Sequence, residues 1–132
     1  MPLSFLVNRV PAQPIIVITL TAPFAADQVE ALYGEIDSVA AEIEGHYYRA
    51  LDLSAITVSL ADLMRLLVLA TEQQPGSASD PRARSTVYIG ASDTVRIALR
   101  ILGDTLEREL DMRLFETLEQ ALDWIYADME GH

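Results

Sequence analysis

The chain has 132 residues, and nine basic against twenty acidic side chains give it a net charge of −11 at neutral pH. Its length suits a single domain over residues 1–132, and its negative charge argues against nucleic acid as a partner. All nine bases are arginine, and the lack of lysine and cysteine excludes Schiff-base chemistry, a Walker-type phosphate loop, disulfides and thiolate metal sites.

The first third of the chain predicts two strands followed by a helix. Residues 4–10 and 15–21 predict the strands, and the prolines between them indicate a hairpin turn. The run 15–18 is apolar on both faces, which is typical of a covered, central strand. Apolar residues at helical spacing predict the first helix over residues 23–44, and Gly45 is placed to end it.

The middle of the chain predicts a strand, a buried helix and a long loop. Residues 47–53 predict the third strand, and residues 59–71 predict a helix that is apolar almost all round. Ser59 and Asp62 have the spacing of a capping box at the start of this helix. Residues 73–85 contain two prolines, a glycine and small polar residues, which predicts a mobile loop.

The last third predicts two further strand–helix pairs. Residues 86–89 predict the fourth strand, and a third helix follows from a cap at Ser92 or Asp93 to about Leu102, with Gly103 ending it. Residues 113–115 and the capping box that starts at Thr117 then predict the last strand and the last helix. The order ββαβαβαβα predicts a mixed, mostly parallel sheet with right-handed crossovers and an antiparallel hairpin at one edge.

Two segments resemble a known family when they are taken together with this order. Leu51-Asp52-Leu53-Ser54-Ala55-Ile56-Thr57 is similar to the third strand and turn of the STAS domain, and residues 113–122 are similar to its last strand and helix, with Phe115, Ala121 and Leu122 in place. STAS domains are the fold of bacterial anti-sigma-factor antagonists and of the cytoplasmic tails of sulfate transporters. The lack of a strong glycine pattern makes the chain most similar to the SpoIIAA-like branch. The resemblance implies an α/β domain with its helices mainly on one side of the sheet.

The resemblance also implies a regulatory role. In the antagonists the second helix begins with Asp-Ser-Ser-Gly, and a partner kinase phosphorylates one of these serines. An ungapped comparison puts Asp62 at the acceptor position and Leu63 at the glycine. A carboxylate there either imitates the phosphorylated state or completes the helix cap, and Ser59 is either a displaced acceptor or a cap. We expect a non-enzymatic module that contacts a protein partner through Ser59, Asp62 and Arg65.

The sequence offers no constellation for catalysis. His46 is the one histidine away from the chain end, and it falls where the first helix gives way to a strand. The segment Gly90-Ala91-Ser92-Asp93 lacks the second glycine of a nucleophile elbow and is better interpreted as a strand end with a helix cap. Because the acids are spread along helix faces, they do not predict a metal site. We therefore expect neither enzymatic activity nor a cofactor.

The third helix indicates an alternative. Val95, Ala98, Leu99 and Leu102 are expected to face the sheet, which leaves the flank formed by Arg96, Ile97, Arg100 and Ile101. Apolar groups beside arginines are typical of surfaces that bind an acyl-like ligand, a membrane or a partner, although the same flank also suits packing on a neighbouring helix or in a homodimer. SpoIIAA-like proteins have been considered in both the membrane and the small-ligand roles. The longest apolar run, residues 66–70, is far shorter than the ~20 residues of a membrane span, so we expect a cytoplasmic protein.

Overall fold

A computed structural model describes residues 5–21, 29–55, 60–69, 82–105 and 113–131 of the chain. These residues form five strands and four helices in the predicted order. The strands are β1 (Phe5–Arg9), β2 (Ile15–Thr21), β3 (Tyr47–Ala55), β4 (Ala83–Ile89) and β5 (Arg113–Phe115). The helices are α1 (Val29–Ala40), α2 (Leu60–Leu69), α3 (Asp93–Thr105) and α4 (Leu118–Glu130).

The strands build one sheet in chain order, from β1 at one edge to β5 at the other. β1 pairs with β2 in antiparallel orientation, and the remaining neighbours pair in parallel. Helices α1, α2 and α3 pack on one face of the sheet, whereas α4 packs on the other. The predicted fold class, a mostly parallel sheet with helices mainly on one side, is therefore confirmed.

The larger of two hydrophobic cores lies under α1, α2 and α3. Ile36, Leu63 and Val95 bring one apolar side chain from each of these helices against the sheet. The smaller core lies under α4, where Ala121 and Ile125 are fully buried. Because β3 is the central strand and both its faces are covered, almost every side chain from Tyr47 to Leu53 is buried.

The end of α1 differs from the prediction. The helix ends at Ala40, not at Glu44, because the next residues form a tighter turn in which the amide of Ile43 donates to the carbonyl of Ala40 at 2.9 Å. Gly45 follows with a φ of 80°, a left-handed conformation that glycine adopts without a Cβ clash. The start of this helix predicted over residues 23–28 lies outside the described residues.

Two other boundaries were also predicted wrongly. β4 begins at Ala83, where it pairs with Tyr47 of β3, so residues 83–85 belong to the sheet and not to the predicted loop. Residues 73–81 of that loop lie outside the described part of the chain. Helix α3 continues through Gly103 to Thr105, since one glycine costs a helix only about 1 kcal/mol and does not by itself end it.

The docking of α4 includes a hydrogen bond between the sheet and the last turn of the helix. Tyr48 Oη donates to Asp128 Oδ2 at 2.6 Å, and Arg84 Nε lies 3.9 Å from the same carboxylate oxygen. Burial is the main reason why the pKa of Tyr48 is raised above its usual value of 10.0. The hydrogen bond to Asp128 and the charge of that carboxylate raise this pKa further, and Arg84 opposes them.

Replacing Tyr48 by phenylalanine is expected to lower the free energy of unfolding by about 1.5 kcal/mol at pH 7, because a bond to a charged acceptor is lost. A pKa that is higher in the folded than in the unfolded state stabilises the fold below pH 10.0, and this stabilisation is lost as the pH rises further. The difference in free energy of unfolding between the two proteins, measured in urea, should therefore become smaller above pH 10.0. A difference that becomes larger there would contradict the raised pKa of Tyr48.

Candidate interaction surface on the second and third helices

The start of α2 faces solvent and is anchored by one residue. Leu63 is 1% exposed and packs in the larger core, whereas Leu60, Ala61 and Arg65 are exposed. This alternation follows from the helical period, which places residues 60 and 61 on the side away from the sheet or at its margin. Of the predicted contact residues, Arg65 is thus placed at the surface. Ser59 and the side chain of Asp62 lie outside the described part of the chain.

Helix α3 begins with a serine cap. The Oγ of Ser92 accepts from the amide of Val95 at 3.2 Å, and the Ser92 carbonyl accepts from the amide of Arg96, also at 3.2 Å. Ser92 is therefore the cap, and Asp93 is the first helical residue, where its carboxylate is favoured by the helix dipole. The cap also gives the segment from Gly90 to Asp93 a structural role.

The exposed side of α3 carries the residue pattern that the helical period predicts. Val95, Ala98 and Leu99 are buried against the sheet, whereas Ile97 is 45% exposed and Ile101 is 40% exposed. The predicted position of the Leu102 side chain lies outside what the structure describes. Covering a side chain as large as isoleucine lowers the free energy of the system. Both residues could therefore stabilise a contact with another molecule.

Two arginines accompany these isoleucines. Arg96 Nη1 lies 3.4 Å from Asp93 Oδ1, one turn earlier, and both side chains are largely exposed. Such an ion pair contributes little to stability, at most about 1 kcal/mol. Arg100 is exposed one turn further along the helix. Their side chains are therefore accessible to an anionic group on a partner or ligand.

The exposed apolar side chains are unevenly distributed. Among the described residues, five large hydrophobic side chains are exposed, and three of them lie on α2 and α3, which pack side by side. These three are Leu60, Ile97 and Ile101, and the others are Leu6 and Tyr126. Clustering of this kind is typical of a contact surface, whereas single exposed apolar residues are ordinary. The sequence indicated the α3 residues but not Leu60, which was assigned to a buried helix.

The structure leaves the histidine considered in the sequence analysis at the surface. His46 is exposed just before β3. Among the described residues, no group of three or more histidine, aspartate or glutamate side chains is arranged to hold a metal ion. Within the same ranges, no helix is both long and apolar enough to cross a membrane.

A buried arginine is the main polar feature that sequence reasoning missed. Arg49 is 1% exposed in the middle of β3, and its Nη1 donates to Thr86 Oγ1 on β4 at 3.0 Å. It lies on the face covered by α1, α2 and α3, together with Tyr88. Burial raises the pKa of Tyr88, and the positive charge of Arg49 opposes that shift. The available signal was a cationic side chain within the mostly apolar strand predicted over residues 47–53, which also contains Asp52.

Comparison with known proteins shows the fold. No family model matches the chain, and no curated protein sequence matches it. A solved structure that does match is an uncharacterized protein of the DUF3478 family, described as having a SpoIIAA-like fold, from Shewanella loihica PV-4. The two chains share 16% sequence identity with a TM-score of 0.59, over 91% of this chain and 90% of the other. The predicted SpoIIAA-like, STAS-type fold is thereby confirmed.

Proposed function

The protein has a SpoIIAA-like fold. On this basis we propose that it is a non-enzymatic regulatory module that binds a protein partner through the start of α2. Ser59, Asp62 and Arg65 are the proposed contact residues. The observation that supports this function is the exposure of the first turns of α2 around the buried anchor Leu63. A helix start that is already folded and faces outward loses less conformational entropy when a partner covers it than a segment that must order on binding.

The chemistry of this helix start suits recognition better than catalysis. Arg65 is exposed and offers a planar, five-donor guanidinium to a partner's carboxylate. Leu60, five residues earlier, adds an exposed apolar side chain to the same helix start, so that a partner covering the first turns could form an apolar contact as well as a charge-assisted hydrogen bond. Neither group supplies a nucleophile or a general base at neutral pH.

Site-specific photo-cross-linking tests the proposal. A benzophenone amino acid at Ala61 should form a covalent adduct with a protein in cells that contain the full chain. The same group at Ala127, an alanine on α4 that is also exposed, is the matched control and should not form this adduct. Arg65→Glu should abolish the adduct at Ala61. Equal adducts from both positions, or none from Ala61, would contradict the proposed function.

A second candidate function is favoured by the exposure of two isoleucines beside two arginines on α3. In this function Arg96, Ile97, Arg100 and Ile101 bind an acyl-like ligand or lie on a membrane surface. Arginine tips reach phosphate groups while apolar side chains enter the boundary of the acyl chains. The contact would be peripheral and reversible.

Vesicle sedimentation tests this second candidate. We expect Ile97→Ser/Ile101→Ser to reduce binding to vesicles of phosphatidylglycerol and phosphatidylcholine by about tenfold or more, because two apolar side chains no longer enter the bilayer. Leu6→Ser is the matched control, since Leu6 is 54% exposed on the edge strand β1. Equal loss in both variants, or no binding by the unmodified protein, would contradict a membrane role.

A further inference from the structure

Apolar residues at the outer margins of α2 and α3 form two rows. On α2, the exposed Leu60 lies one turn before Met64, which is half-buried and packs against the larger core. On α3, the exposed Ile97 and Ile101 are also one turn apart. Both helices follow parallel strands and pack side by side on one face of the sheet. With right-handed crossovers and about 100° of rotation per residue, the α2 row leans toward α3 and the α3 row leans toward α2. The four residues therefore line the outer groove between the helices, which we call the α2–α3 groove.

Arginines flank the α2–α3 groove on both sides. The same rotation places Arg96 and Arg100 on the side of α3 away from α2, and Arg65 on the outer side of α2. Among the described residues, Arg65 and Arg100 form no ion pair, whereas Arg84 lies beside Asp128 and Arg113 stacks on Trp124. A protein with a net charge of −11 thus has, among its described residues, two arginines without an ion pair beside the exposed apolar residues of α2 and α3.

A groove between two packed helices suits a single further helix. Packed helices lie about 8–10 Å apart, and the groove between them accepts one ridge of side chains from a third helix. A partner of this kind would place apolar residues at i, i+3, i+4 and i+7 over the four groove residues. Its flanking positions would then lie beside the arginines, where acidic side chains are favoured.

Net charge favours a helix over an anionic membrane as the occupant. A bilayer extends its negative charge over the whole face of the protein, and the twenty acidic side chains would oppose its approach. A helix approaches only the arginine rim, and more distant acids are screened over about 8–10 Å at physiological ionic strength. We infer that the α2–α3 groove docks an acidic amphipathic helix of a partner protein. This inference rests on the proposed function and names the chemistry of the partner.

A peptide library tests the inference with the full chain immobilised. The probe is a display library of helical peptides of about 18 residues, or five turns, with leucine fixed along one face and glutamate or lysine randomised elsewhere. We expect glutamate to be enriched beside the leucine face. The best peptide should bind Arg96→Glu/Arg100→Glu about tenfold more weakly than the unmodified protein. Arg113→Glu, on the opposite face of the sheet, is the matched control and should bind normally.

Ile97→Ser/Ile101→Ser should also weaken binding of the best peptide. Circular dichroism spectra of all variants serve as the control that each is folded. The inference is overturned if no peptide is enriched, if lysine is favoured, or if the charge-reversed variant binds equally well. It is also overturned if anionic vesicles bind the groove while the library does not, because the occupant is then a membrane. A protein cross-linked at Ala61 without any acidic preference in the library would leave the proposed function standing and remove only this inference.

Discussion

Replacing Arg49 by alanine is expected to lower the free energy of unfolding by about 4 kcal/mol. Arg49 lies between Ile16 of β2 and Thr86 of β4 in the central strand, with its side chain under the helices. Alanine would leave a cavity where the long stem packs, and the hydroxyl of Thr86 would lose its donor. Urea unfolding of the two proteins measures the difference, with fluorescence and circular dichroism used together to verify a two-state transition.

Arg49→Met is the matched comparison because methionine fills much of the same volume without a charge. We expect it to lose about 2 kcal/mol, roughly half of the loss for alanine. The difference in free energy of unfolding between Arg49→Ala and Arg49→Met measures the cost of the cavity. The loss of stability in Arg49→Met itself measures the contribution of the polar contacts. An alanine variant as stable as the unmodified protein would contradict the burial of this side chain.

Features set by local sequence were predicted well. The Thr117 cap is an example, because its Oγ1 accepts from the amide of Gln120 at 3.2 Å. The side chain of Gln120 accepts from the amide of Glu116, whereas a capping box would place that bond one residue later, at Thr117 itself. The cap spans three residues, so the identities and spacing of the side chains are sufficient to predict it, although not the exact donor to Gln120.

The helix period also predicted part of the candidate surface. Ile97 and Ile101 cannot face the sheet together with Val95 and Leu99, since they lie on the opposite side of α3. The exposure of Leu60 was not predicted, because an almost continuous apolar helix has no polar side that fixes its rotation. That rotation is set by the packing of Leu63 against residues distant in the chain.

Two features set by individual contacts between distant segments were not predicted. Arg82 was assigned to a loop, yet its side chain binds the end of α1, about 40 residues earlier in the chain. The early start of β4 has the same origin, since the pairing of Ala83 with Tyr47 extends the sheet. The residues next to Arg82 and Ala83 in the sequence do not identify these distant partners, which are the carbonyls at the end of α1 and the edge of β3.

A second large loss of stability is expected when Arg82 is replaced. Its Nη2 donates to the carbonyls of Ala40 at 2.8 Å, Ile43 at 2.7 Å and Gly45 at 3.2 Å. Its guanidinium also lies 5.8 Å from the ring centre of Tyr47. The last carbonyls of a helix lack partners within the helix and carry a partial negative charge, which a cation stabilises. Arg82→Met should therefore lower the free energy of unfolding by about 3 kcal/mol, as measured in urea.

Two further variants separate charge from geometry at the end of α1. Arg82→Lys keeps the positive charge but cannot reach several carbonyls with a planar fork, so we expect about half of the loss. Arg100→Met removes an exposed arginine and should change stability by about 0.5 kcal/mol or less. Hydrogen exchange should show faster opening at the end of α1 in Arg82→Met, because the donors that hold this turn to β4 are gone. A loss no larger than that of Arg100→Met would show that the end of α1 is stabilised by the burial of Ile43 rather than by the guanidinium.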